Sequence, residues 1–141
     1  MAQEHAIPLG MLAARLAKEF ENEVFEQLTL AGYPELRVRH SVLLSALDGT
    51  ALRLGQLAAQ AGMTPQAMGE LVDDLEAGGY LARHNDPADR RARLIVATPR
   101  GERALAECLR IVATIEESYA TALGADRLDD AKQAITELLR P

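Results

Sequence analysis

Helical periodicity governs both ends of this chain. Apolar residues recur as Leu9, Leu12, Leu16, Phe20, Val24 and Leu28, in steps of three and four that place them on one face of a helix from Leu9 to about Leu30. Gly32, Tyr33 and Pro34 end it. The same spacing returns at Leu105, Cys108 or Leu109, Val112, Ile115 and Tyr119, in a helix opened by Thr98-Pro99 and broken by Gly124. A last helix from about Arg127 carries Leu128, Ala131, Ile135 and Leu138. A helix of about 22 residues is near 33 Å long, more than a small central unit can cover. Either the terminal helices pack on each other within one chain, or a second copy buries their stripes by offering the same stripes in return. The second arrangement is the expected one.

Composition narrows the class. The 141 residues hold no Trp and only 4% aromatics, so the core must come from Ala, Leu, Val and Ile. A chain of this length removes roughly 68–70% of its extended surface from water and needs no staple to hold a core. One Cys cannot form an internal disulfide or supply a zinc cluster, and His5, His40 and His84 are scattered over unrelated elements, so no metal is expected. No apolar stretch approaches the roughly 20 residues of a membrane span, and Met-Ala-Gln-Glu-His lacks the basic start of a signal peptide; a cytoplasmic protein is expected. Gly-rich phosphate loops, G-x-S-x-G and H-E-x-x-H are missing from the sequence, which points to a non-enzyme without a cofactor.

The centre of the chain reads as helices over 36–47, 53–61 and 64–78, with a turn at Asp48-Gly49-Thr50 after the first. Ala58, Gly62 and Met68 have helix-turn-helix spacing. Two steeply crossing helices need a small residue at their contact, Ala58, and the turn between them needs positive φ, which Gly62 supplies. Thr64-Pro65 is an N-cap followed by a proline at the first helical position. From Tyr80 the periodicity changes. Tyr80–His84 and Arg93–Thr98 are β-prone runs flanking the polar segment 85–91, a hairpin with a long tip.

Charge is unevenly spread. The net charge is −6, yet residues 83–103 carry six arginines against three acids. A cluster made only of Arg suits phosphate and base edges, although a solvated face is the plainer explanation of any charge run. Helix, turn, capped helix and Arg-tipped hairpin follow one another in the order of a winged helix-turn-helix. The expected fold is mainly α with a small β-hairpin wing. Residues 1–34 and 99–141 form a helical dimerisation region, and 35–98 form the DNA-binding region. Thr64, Gln66 and Ala67, with Gly69 and Glu70 beyond them, stand where base edges are read: Gln can pair with adenine, and Ala can meet a thymine methyl.

Asp86-Pro87-Ala88-Asp89-Arg90-Arg91-Ala92, followed by Leu94 to Gly101, resembles the wing and following helix start of the MarR family of transcriptional regulators, and Leu71 to Arg83 resembles the end of its recognition helix. The resemblance runs over about residues 9–139. It implies a homodimer, joined by its terminal helices, that binds a pseudo-palindromic operator in double-stranded DNA and that a small, often aromatic, ligand can release. It also implies that Arg91 enters the minor groove, that Asp89 orients it, that Arg83 contacts phosphate and that Arg90 meets the backbone. Glu70 and Asp74 depart from the family pattern, where Arg or Lys is common, and shift the load to the wing. Cys108 does not match the family's peroxide-reactive cysteine and reads as packing. His40, beside Arg39, is a candidate for the ligand cavity, with a buried structural histidine as the plainer alternative. The function expected is a sequence-specific DNA-binding regulator, a repressor because a dimer seated on a promoter excludes polymerase. A winged-helix module that binds protein and a small ligand-binding enzyme are the alternatives.

Overall fold

The computed structural model describes residues 6–47 and 49–140. Met1–His5, which include the candidate ligand His5, and Asp48 of the expected turn lie outside the described residues, as does Pro141. In chain order the elements are α1 (Leu9–Leu30), a 3-10 turn (Val38–His40), α2 (Ser41–Ala46), β1 (Leu52–Arg53), α3 (Leu54–Ala61), α4 (Pro65–Ala77), β2 (Leu81–Asp86), β3 (Asp89–Ala97), α5 (Pro99–Leu123) and α6 (Ala125–Leu138). Among the described residues no helix is long and apolar enough to cross a membrane.

Leu43, Leu57, Met68, Val72, Leu75 and Ile95 form the fully buried centre, closed on one side by Leu28 of α1 and Ile111 of α5. α3 and α4 make the expected helical hairpin. Ala58 is buried at their contact. Gly62 ends α3 at φ 64°, and the Met63 amide returns to the Ala58 carbonyl at 2.9 Å. Thr64 caps α4 by accepting from the Ala67 amide at 3.1 Å, with Pro65 following.

Three local details differ from the sequence expectation. The helix expected over 36–47 is reduced to Ser41–Ala46, because the Arg37 amide donates to His40 Nδ1 at 2.9 Å and winds the preceding residues into a 3-10 turn. The sheet has three strands, in the order β1-β3-β2, because Leu52 and Arg53 pair with Ile95 and Leu94. The hairpin tip is short: β2 and β3 run on to an Asp86–Asp89 pair with a bulge at Asn85/Asp86. Asp86 makes the tight turn possible. Its Oδ1 accepts from the Ala88 amide at 2.9 Å, and its Oδ2 takes Arg53 Nη2 at 2.6 Å and Nε at 2.9 Å. The Ala88 amide first, and Arg53 with it, hold the Asp86 carboxyl below its ordinary range.

Tyr80 joins the wing to the long helices. Its ring is buried and pairs with Tyr33 at 6.1 Å, its hydroxyl donates to Glu35 Oε2 at 2.6 Å, and the Arg100 guanidinium lies 4.6 Å above it. Burial, reinforced by the Glu35 carboxylate, pushes the Tyr80 phenol up to about 12. The Thr98 amide donates to the Tyr80 carbonyl at 3.0 Å, so α5 starts against that residue. Gly101 permits the approach: a Cβ there would overlap the Tyr80 carbonyl oxygen.

His40 is likewise buried. Since the Arg37 amide makes Nδ1 an acceptor, Nε2 keeps its proton and faces Asp74 Oδ2 of α4 at 3.4 Å. Burial lowers the His40 pKa from 6.5, with the neighbouring Asp74 opposing.

Two outcomes follow from this packing. Gly101→Ala is expected to cost about 3 kcal/mol or more, because the obstacle is backbone rather than a movable side chain. Gly69→Ala meets only Leu54 Cδ2 at 3.8 Å and should gain about 0.5–1 kcal/mol of helix stability. Urea unfolding of the two variants checks the pair. His40 binds protons more weakly in the folded state, so stability should fall as pH drops through 6.5 toward its lower folded value. The slope is at most about 1.4 kcal/mol per pH unit. His40→Asn should flatten that part of the profile, whatever its constant cost in packing.

Candidate nucleic-acid interface

Met68, Leu71, Val72 and Leu75 turn one side of α4 into the core. By helical spacing, Thr64, Gln66 and Glu70 then lie exposed on the other side at its N-terminal half, with Ala67 and Gly69 half-buried beside them. The unpaired amides of a helix N-terminus favour an anion there. Thr64 has a structural duty as well, since its oxygen caps α4.

Four acids and no basic residue stand on this helix, a poor composition for approaching phosphate. Neighbouring elements neutralise three of them. Arg83 of β2 donates to Asp73 Oδ1 at 2.7 Å and to Glu76 Oε1 at 2.8 Å, and Arg39 of the 3-10 turn reaches Asp74 Oδ2 at 2.7 Å. Among the described residues Glu70 makes no ion pair. Asp74 thus loses most of the repulsion that its identity suggests.

Arg83, the expected phosphate contact, also holds β2 to α4, its side chain 20% exposed. Arg90, Arg91 and Arg93 of β3 are all exposed, and among the described residues none is ion-paired. Asp89 reaches Arg91 through the main chain, its Oδ1 accepting from the Arg91 amide at 3.0 Å. The carboxylate fixes the backbone from which the guanidinium projects. Sequence reading missed Arg39 and Arg53 as organisers of the surface. Their acidic partners lie more than thirty residues away, and no local pattern marks them.

Behind the interface lies a cavity of about 860 Å³ between α1, α2, α3 and α5, walled by Phe20, Phe25, Val42, Ala61 and Val112 among others. His40 is not part of its lining: both ring nitrogens are engaged elsewhere, at Arg37 and Asp74. Cys108 does line it, and burial pushes its thiol up, as suits an inert packing group. Among the described residues no group of His, Cys, Asp and Glu is arranged to hold a metal.

The MarR family model matches residues 36–92, which span the helix-turn-helix and most of the wing. The transcriptional regulator HosA of Escherichia coli O111:H- is 24% identical over 121 residues, 83% of this chain and 90% of its own. Reduced MarR from E. coli superposes with a TM-score of 0.81 at 20% identity, covering 97% of this chain and all of that one. CouR from Rhodococcus jostii RHA1, solved bound to p-coumaroyl-CoA, is 27% identical with a TM-score of 0.72, covering 99% of this chain and 97% of CouR. The family match falls on the segment that carries the capped α4 and the arginine wing, and the shared fold extends over the long helices at both ends. The chain is thus similar to the MarR family of transcriptional regulators over residues 36–92, and its fold as a whole is the winged helix-turn-helix fold of those proteins.

Proposed function

We propose that this protein is a homodimeric, sequence-specific DNA-binding repressor whose hold on a pseudo-palindromic operator is released by a small molecule. The observation that carries the reading is the wing: three exposed arginines, with no ion pair among the described residues, stand beside an α4 whose acids are largely neutralised from within the chain. Arg91 would enter the minor groove, where narrow segments concentrate negative potential. Arg90 and Arg93 would meet phosphates. Thr64, Gln66 and Ala67 would face base edges of the major groove.

Dimerisation is supported by surface that one copy leaves uncovered. Along α1, Leu9, Met11, Leu12 and Leu16 are exposed, Met11 at 65%, and α6 buries no residue while Leu138 stands 69% exposed. A two-fold partner offering the same stripes would bury both. It would also set two copies of α4 about 34–36 Å apart, the repeat of the duplex. The cavity behind the interface has the size of a small-molecule site, and CouR, a protein of similar fold, is solved with a small molecule bound. Since the cavity touches α1 and α5 as well as α2 and α3, its occupant would alter how the DNA-binding elements sit on the dimerising ones.

Selecting bound fragments from random DNA, then titrating the enriched site at several salt concentrations, tests the reading. A symmetric site should emerge, and affinity should fall steeply with salt. Arg91→Ala should cost about 1–3 kcal/mol and relax preference at its position, whereas Arg90→Ala should weaken all sequences alike and reduce the salt slope by about one. Salt-insensitive binding, or a monomer in sedimentation, would overturn it.

A further inference from the structure

The cavity is chemically one-sided. Its walls are mostly aliphatic and aromatic, and among the described residues Glu21 is the single one of its lining that carries a formal charge; no described Lys, Arg or His contributes. Glu21 lies on α1 between Phe20 and Val24, half-buried, and among the described residues no ion pair occupies its carboxylate. The remaining polar groups are neutral. Ser45 spends its proton on the Ser41 carbonyl at 2.8 Å, which leaves its oxygen an acceptor, while Ser41 and Gln60 of the lining can both donate and accept without charge. The Cys108 thiol, kept protonated by burial, adds no charge.

Such a lining discriminates by charge. An anionic ligand would give up hydration on entering, find no cation and stand near a carboxylate of its own sign. A cation loses the same hydration but recovers it against Glu21, with aromatic faces at Phe20 and Phe25 to receive it. The volume of about 860 Å³ falls within the roughly 300–1,000 Å³ of small-molecule sites.

We infer that the effector of this protein is a lipophilic cation, its ammonium-type head at Glu21 and its apolar body against the α5 wall of Leu105, Leu109 and Val112. The inference rests on reading the cavity as the effector site, and it narrows that reading to one class of ligand by charge.

A matched series tests it: three naphthalene derivatives bearing a trimethylammonium, a hydroxymethyl or a carboxylate group, titrated into the full chain by calorimetry and then against its DNA complex. The ammonium compound should bind at least about tenfold more tightly than the carboxylate and should weaken DNA binding. Glu21→Gln should bring it to within about threefold of the alcohol while leaving the alcohol unchanged, and Glu21→Lys should reverse the preference toward the carboxylate. Equal or tighter binding of the carboxylate by the unmodified chain, or an ammonium affinity untouched by Glu21→Gln, overturns the inference and leaves the effector site standing. No binding by any of the three at millimolar concentration overturns both, and assigns the cavity to side chains of a second copy.

Discussion

Tyr80 ties the candidate nucleic-acid interface to the long helices. Its main chain ends the turn after α4 and accepts from Thr98 at the start of α5, while its side chain is held by Glu35 in the segment after α1 and covered by Arg100 of α5. Three segments thus meet at one buried ring. The phenol gives up water for Glu35 and Arg100, so the packing and the hydrogen bonds stand or fall together. Gly101 makes this possible by having no side chain where α5 touches the Tyr80 carbonyl. Wing and long helices therefore cannot hinge freely at this point. Motion between them has to be sought where α2 and α3 border the cavity.

A second constraint is electrostatic. An acidic chain approaches a polyanion only if its local field opposes its net charge, and here arginines are divided between two tasks. Arg39 and Arg83 face inward onto the acids of α4, and Arg53 ties the hairpin turn through Asp86. Among the described residues of the wing, Arg90, Arg91 and Arg93 make no ion pair. Surface ion pairs of this kind add little to stability. Their larger effect is on the field along α4, which would otherwise repel phosphate at four carboxylates.

Local signals in the sequence were a sound guide wherever geometry is decided within a few residues. Thr64-Pro65 and Thr98-Pro99 start helices, Gly62 takes the left-handed turn, and the three-and-four spacing marks both terminal helices. The structure departs where distant residues decide. Leu52 and Arg53 form a strand only because β3 lies beside them, and the wing tip closes tightly because Asp86 finds both the Ala88 amide and Arg53. The ion pairs of Arg83 are equally hidden from local reading, because Asp73 and Glu76 lie on the preceding helix rather than beside it in sequence. His40 looked like a ligand group because its two partners, a backbone amide and an acid thirty-four residues away, leave no trace near it.

The same geometry explains how a ligand could act on DNA without touching the interface. α1 and α5 form one wall of the cavity, and α2 and α3 the other. The Tyr80 contacts fix the wing to α5, so an occupant that spreads the walls would tilt α3, and with it α4, about that fixed side. In a dimer the tilt acts on both halves and changes the separation of the two recognition helices, to which a duplex of fixed repeat is sensitive. Linkage then requires that such a ligand bind the DNA complex more weakly than the free dimer, by the same factor with which it weakens the operator. The coupling therefore needs no contact between ligand and DNA, only two walls that cannot suit both at once.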